Sequence, residues 1–246
     1  MVNVTDNSNK ILIIVPAYNE EHNIENTVEQ IKQVKNMDYI VINDGSTDST
    51  LDILINKNYN YVNLPTNLGI GAAVQTGYKY ALQNKYDIAI QFDGDGQHNI
   101  QYINNLISEI EKGNDLVVGS RFLNSEEGFK STAVRRIGIK ILSFLIKIFT
   151  KKSITDPTSG FRACNRKIIE IFSREYPIDY PEPDTIVKLL KLQYTVKEIP
   201  VIMNERKTGK SSISPIKSIY YMIKVSFSII IAGVSSKGDK QNVHKS

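Results

Sequence analysis

Apolar residues along this 246-residue chain fall into two rhythms. Short runs rich in β-branched residues, at 11–15, 39–43, 61–64, 87–92 and 115–119, have the length and content of strands. Between them, segments 20–34, 47–56, 71–83 and 100–112 space their apolar residues as helices do. In the first of these, Ile24, Val28 and Ile31 form one stripe while Glu21, Glu25 and Glu29 stand elsewhere. Strand and helix in alternation predict an α/β fold with a mostly parallel central sheet flanked by helices. The second half is less regular. Helices are predicted at 134–150, 165–174 and 184–192, a strand at 195–202, and a strongly apolar helix over 213–234. The polar ends, 1–10 and 235–246, are expected to be mobile, with one domain over 11–212 between them.

Composition adds little except in one place. With 41% hydrophobic and 23% charged residues the chain is ordinary for a globular domain. A single cysteine, Cys164, excludes an intramolecular disulfide and suits a reducing compartment. The first apolar run is strand length, so the start reads as cytosolic in character. The formal charge of +4 is concentrated: seven basic residues and no acidic one lie between Lys130 and Lys152, which leaves −3 for the rest. The basicity is therefore a local device, and with no zinc-finger, homeodomain or RNP pattern beside it, nucleic acid is not an expected partner.

The chemistry starts at Asp93-Gly94-Asp95-Gly96-Gln97-His98, directly after the predicted strand at 87–92. Two carboxylates two residues apart would both reach the carboxyl edge of the sheet, where open α/β folds bind ligands. They are compatible with a divalent metal shared with phosphate and water, and equally with a solvated turn. Repetition favours function: Pro16-Ala17-Tyr18-Asn19-Glu20 and Asn43-Asp44-Gly45-Ser46-Thr47-Asp48 also end strands in polar, carboxylate-bearing loops. Asn19 suits the cap of the helix that follows, and Ser46 or Thr47 the cap of the next. Three look-alikes fail. The dinucleotide fingerprint at Gly69 has Val74 for its third glycine, the P-loop ending Gly209-Lys210-Ser211 has Asn204 for its first, and an EF-hand would need glycine at His98 and glutamate at Asn104.

These motifs, with Asn67-Leu68-Gly69-Ile70-Gly71-Ala72-Ala73, Val118-Gly119-Ser120-Arg121-Phe122 and Asp156-Pro157-Thr158-Ser159-Gly160-Phe161-Arg162, resemble family 2 glycosyltransferases of the GT-A fold. Their order is similar to that of the polyprenyl-phosphate sugar synthases, the dolichol-phosphate mannose synthase-like branch, over roughly residues 10 to 215. The resemblance implies an inverting, metal-dependent transfer from a nucleotide sugar, uridine-diphosphate-linked by expectation, to polyprenyl phosphate. It implies Pro16, Ala17, Tyr18, Glu20, Asp44, Gly71, Asp93, Gly94 and Arg206 at the nucleotide sugar. Asp93, Asp95 and Gln97 would hold Mg²⁺ or Mn²⁺. Arg121, Arg135, Arg136, Ser159 and Arg206 would meet the acceptor phosphate, and the loop 206–212 would close over the diphosphate as a flap. One departure is Asn43, where such enzymes often carry a first aspartate.

Glu182 or Asp184 falls where family members often keep a catalytic carboxylate; the plainer alternative is that Asp184 caps the helix and Glu182 is a surface residue. A sugar-hydroxyl acceptor needs a base; a lipid monophosphate, with a second pKa of about 6, is already largely ionised. For the membrane, 134–150 joins Ile137, Ile141, Leu145, Ile148 and Phe149 to the basic cluster, the composition of an interfacial helix. The apolar run 219–234 is about 24 Å long as a helix, short of the roughly 30 Å of a bilayer core. It is expected to lie in the interface or dock on a small membrane protein. The expected enzyme is thus peripheral, at the cytoplasmic face of the membrane. The rivals are transfer to a hydroxyl of a polysaccharide or teichoic-type polymer, and a non-catalytic nucleotide-sugar-binding subunit.

Overall fold

The computed structural model describes residues 9–123, 133–179, 181–204 and 224–227. The expectations for the two ends, for the loop 206–212 and for most of the 213–234 helix fall outside these residues. Among the described residues seven strands form one sheet in the order β3-β2-β1-β4-β6-β5-β7: β1 Ile11–Ala17, β2 Asp38–Asn43, β3 Tyr61–Asn63, β4 Ile88–Gln91, β5 Leu116–Ser120, β6 Arg162–Asn165 and β7 Val196–Pro200. All neighbours are parallel except β6, which runs antiparallel between β4 and β5. The mostly parallel sheet expected from the sequence is present, with helices on both faces.

β1 shows why. Its seven residues are all buried, as a strand covered on both faces must be. Leu12 and Ile14 point into one apolar cluster with Val74, Tyr78, Leu142, Ile146, Phe172 and Leu189. Ile11, Ile13 and Val15 point into the other with Val28, Ile31, Leu106 and Ile110. The first layer is supplied by α3 Ile70–Gln83, α5 Ala133–Thr150, α6 Arg166–Arg174 and α7 Pro181–Lys191. The second comes from α1 Ile24–Lys32 and α4 Ile103–Glu111, with α2 Thr50–Asn56 packed at its edge. Each fully buried Leu or Ile contributes about 1.5–3 kcal/mol of transfer free energy. No helix among the described residues is long and apolar enough to cross a membrane.

Three local expectations differ from the structure. Asn19 does not cap α1; it adopts a left-handed backbone (φ 55°) and α1 begins later, at Ile24. Ser49 precedes α2, not Ser46 or Thr47, because Asp48 has already turned the chain by accepting from the N–H and hydroxyl of Thr50. And α7 begins at Pro181, three residues earlier than Asp184. Proline suits the first helical position, where no N–H is needed, and Glu182 and Asp184 in the first turn favour the positive end of the helix.

Candidate active site

The carboxyl ends of β1, β2, β4 and β5 lie along one edge, and antiparallel β6 brings its amino end there too. The loops 16–20, 43–50, 93–98 and 156–161 therefore meet.

The first two loops are stitched together. Asn19 accepts from the Thr47 N–H (2.8 Å), and its own N–H donates to Ser46 Oγ (3.0 Å). Glu20 and Glu21 donate backbone N–H bonds to Thr50 Oγ1 and to Asp48. Asn43 is fully buried and donates to Asn63 Oδ1 at 2.6 Å. Asp44 is buried as well, and its carboxylate accepts from the Leu68 and Gly69 N–H groups (2.8 and 2.9 Å), latching the loop that leads into α3. Gly45, at φ +63°, permits that approach: a Cβ there would stand 2.4 Å from the Thr66 carbonyl carbon. Of the residues expected at the nucleotide, Pro16 and Ala17 end buried β1 and Tyr18 is exposed beside them. Gly71 is covered, donating its N–H to Ile178 O.

The 93–98 loop is pinned from several sides. Gly94 N–H donates to Pro16 O (3.2 Å), and Thr27 of α1 donates to Gly94 O (3.3 Å). Asp95 accepts from the Gln97 N–H (3.0 Å). His98, almost fully buried, stacks on Phe161 (centroids 4.7 Å apart) and meets Phe92 edge-on. Its Nδ1 accepts from the Asp93 N–H at 3.0 Å, and its Nε2 lies 3.5 Å from Asp93 Oδ2. Gln91 donates to Asp93 Oδ1 at 3.1 Å. A third of the Asp93 side chain remains open to solvent. Burial of the rest pushes its carboxyl above the usual range, opposed by the Gln91 bond and the charges of Arg162 and Arg121. Burial holds the His98 imidazole down to about 4, so it is neutral here.

The 156–161 loop lies across this site. Arg121 and Asp156 form a buried bidentate ion pair (2.6 and 2.7 Å), and Arg121 also donates to Thr158 Oγ1. Asp156 and Thr155 donate their N–H groups to Glu198 of β7, both at 2.8 Å. Ser159 is buried, with its hydroxyl donating to Gly119 O (2.7 Å). These two residues, expected at the acceptor phosphate, stand here as supports of the loop. Gly160 then passes so near the carboxylate that a Cβ would lie 2.8 Å from Asp93 Oδ2.

Glu182, half-buried at the start of α7, is close enough to feel both Gln91 and Arg162; burial pushes its carboxyl up and the guanidinium opposes that. Asp184 follows in the same turn. The structure thus brings Asp93, Asp95, Gln97 and Glu182 to one edge. Arg136 is exposed on α5, while the Arg135 side chain and Arg206 lie outside the described residues. The chain does return to the site just before Arg206: Asn204 donates its N–H to Gln97 O at 2.8 Å.

Sequence reasoning passed over Gln91, His98 and Arg162 as site residues. His98 and Arg162 sit inside quoted motifs, and Gln91 is the one polar residue in the run 88–92, so each had a signal. Among the described residues no three His, Cys, Asp or Glu side chains gather to hold an ion unaided. Two aspartates and an amide oxygen are hard oxygen donors that fit Mg²⁺ or Mn²⁺ if phosphate and water complete the shell. A cavity of about 380 Å³ bordered by Asp87, Ile110 and Arg166 opens at the opposite edge and has no part in this site.

The model of glycosyl transferase family 2 matches residues 12–172. A UDP-N-acetylglucosamine–dolichyl-phosphate N-acetylglucosaminyltransferase of Methanococcus voltae is 31% identical over 228 residues, 85% of this chain and 86% of that protein. A polyprenol monophosphomannose synthase of Mycolicibacterium smegmatis is 25% identical over 83% of this chain and 81% of its own. Among solved structures, glucosyl-3-phosphoglycerate synthase from Mycobacterium tuberculosis, in complex with Mn²⁺, uridine diphosphate and phosphoglyceric acid, superposes with a TM-score of 0.71. It covers 94% of this chain and 81% of that one at 18% identity, a likeness of the GT-A fold.

Proposed function

Because the chain belongs to glycosyl transferase family 2, and is a glycosyltransferase, we propose that it moves a sugar from a nucleotide sugar to polyprenyl phosphate with inversion. The observation that carries this reading is the loop of Asp93, Asp95 and Gln97, pinned at the carboxyl end of β4 by Pro16 O and His98, in a chain whose relatives are named for polyprenyl-phosphate acceptors. The neighbour solved with Mn²⁺ and uridine diphosphate supports a uridine-diphosphate-linked donor.

In this reading Asp93, Asp95 and Gln97 would hold Mg²⁺ or Mn²⁺ beside the donor diphosphate. A metal so bound supplies Lewis-acid neutralisation of the charge that builds on the departing nucleoside diphosphate. The loops 16–20 and 43–46 form the floor under the nucleoside, with Tyr18 the exposed group able to reach a base or ribose. An acceptor phosphate oxygen forms its bond to the anomeric carbon from the face opposite the diphosphate, whose bond to that carbon breaks. No proton need be removed, since a phosphate monoester has its second pKa at about 6. Glu182 then orients the reacting groups. Arg136, with Arg135 and Arg206, completes the anion-binding set.

The membrane assignment rests on α5. Ile137, Ile141, Phe144 and Ile148 are 60, 49, 63 and 43% exposed at a spacing that puts them on one face, while Ile139, Leu142 and Ile146 are buried on the other. Lys140 and Lys147 are exposed beside the apolar stripe. Such a face suits an anionic lipid surface, and we assign the enzyme to the cytoplasmic side of the membrane as a peripheral protein. A second reading, transfer to a polymer hydroxyl, makes Glu182 a general base.

The test is transfer of radiolabelled sugar into organic-extractable lipid by purified protein with polyprenyl phosphate, Mn²⁺ and a panel of nucleotide sugars. Label in the lipid with one donor, abolished by Asp95→Ala, is the expected result. Donor hydrolysis without lipid label would reject the lipid acceptor in favour of a hydroxyl.

A further inference from the structure

Two fully buried polar side chains lie directly beneath the site carboxylates. Gln91 of β4 and Arg162 of β6 are 1% and 0% exposed and are partners in the antiparallel register. Gln91 Nε2 donates one hydrogen to Asp93 Oδ1 at 3.1 Å, and the same amide lies close enough to the Glu182 carboxyl to favour its ionised form. Its Oε1 is buried and has no donor among the described residues. Turning the amide round would aim that oxygen at the Asp93 carboxylate, so the orientation serves the anion at the cost of an unmet acceptor.

Arg162 works on the other side. Nε and Nη2 both donate to Ser159 O (3.2 and 2.6 Å), the residue before Gly160. Nη1 donates to Thr185 Oγ1 at 3.0 Å, and Thr185 donates in turn to Pro181 O at 2.7 Å, the first residue of α7. Among the described residues Arg162 makes no ion pair within 4 Å. A guanidinium buried without one costs several kcal/mol unless nearby anions compensate. The anions whose ionised forms it favours from a distance are Asp93 and Glu182.

We propose that Gln91 and Arg162 are positioning residues: a buried bracket that fixes the donor-side carboxylate Asp93 and the acceptor-side start of α7 at a set separation. The bracket has two arms. Gln91 holds Asp93 where it can ligate the metal. Arg162, through Thr185, holds the first turn of α7 and so sets Glu182 against the incoming acceptor. The inference rests on the donor and acceptor sides assigned above, but its readouts do not all need the lipid.

Each arm has its own variant. Gln91→Met keeps the length of the side chain and removes both N–H groups. Thr185→Val keeps the shape and removes the acceptor for Arg162. Mn²⁺ binding in the presence of uridine diphosphate, followed by electron paramagnetic resonance, reads the first arm; KM for the acceptor that the wild type uses, lipid or hydroxyl, reads the second. Melting temperature is measured for both. Gln91→Met is expected to weaken Mn²⁺ binding at least about tenfold with acceptor KM within about twofold. Thr185→Val is expected to raise acceptor KM at least about fivefold with Mn²⁺ affinity within about twofold. Variants that leave both quantities within about twofold of wild type, or that move both together in step with melting temperature, would overturn the bracket. Failure of the lipid reading looks different, since it appears in the wild type as absent lipid label while Mn²⁺ binding still scores Gln91→Met. If Gln91→Met does not fold, Gln91→Glu replaces it, and undiminished Mn²⁺ affinity there sinks the proposal.

Discussion

The backbone N–H of Asp93 donates to His98 Nδ1 across 3.0 Å, which leaves the imidazole proton on Nε2, 3.5 Å from Asp93 Oδ2. One ring thus accepts from the backbone of Asp93 and faces the carboxylate of the same residue. Phe161 stacked on one face and Phe92 edge-on exclude water from it.

That burial makes the fold sensitive to acid. His98 falls from 6.5 to about 4 on folding because burial disfavours the imidazolium. Between those values the unfolded chain binds a proton that the folded chain does not. Stability from this residue is therefore complete above pH 6.5 and drains as pH falls toward 4, by about 3 kcal/mol at the limit. Denaturant midpoints at pH 7.5 and 4.5, as chosen conditions, should fall further for the wild type than for His98→Asn, which keeps an acceptor for the Asp93 N–H. Equal falls would remove His98 as the cause.

Gly160→Ala should separate activity from stability. The new Cβ would meet Asp93 Oδ2 at 2.8 Å and Gln91 Nε2 at 2.9 Å, both ends of side chains that can shift. The fold should lose about 1 kcal/mol or a few degrees of Tm, whereas a displaced carboxylate should cost about 10–100-fold in kcat. Thermal melts and transfer rates on the same preparation check this, and full activity with a lowered Tm would contradict it.

Glu182→Gln distinguishes the acceptors. With an ionised phosphate as nucleophile the loss should stay within about tenfold, whereas removing a general base from a hydroxyl acceptor costs about 10²–10⁴-fold. Initial rates at saturating donor read the difference directly.

The exposed stripe of α5 should bind membranes. Ile137→Ser combined with Phe144→Ser removes apolar area without touching the buried face of Ile139, Leu142 and Ile146. Flotation with anionic vesicles should fall by at least about tenfold while Tm changes little, and raising salt should weaken wild-type binding further. Unchanged flotation would place the membrane contact elsewhere.

What the sequence determined by itself were the features with a period or a composition behind them. The strands at 11–15 and 39–43 announced themselves by β-branched runs, the helices 71–83 and 134–150 by stripes, and the Asp93–Asp95 loop by its place after a strand. β6 was invisible because Arg162-Ala163-Cys164-Asn165 has neither alternation nor β-branched residues; only pairing with β4 and β5 makes it a strand. The early start of α7 was hidden because Pro181 and Pro183 read as breakers until the helix is seen to begin on one of them. Roles of polar residues were the hardest to read. Arg121, Ser159 and Asp44 carry the chemistry of ligand binders, yet Arg121 is paired with Asp156, Ser159 with Gly119 O, and Asp44 with two backbone N–H groups. A sequence shows which groups can donate or accept, whereas a hydrogen bond is spent by whichever partner lies within about 3 Å, and partners 24 to 40 residues apart are brought there only by the fold.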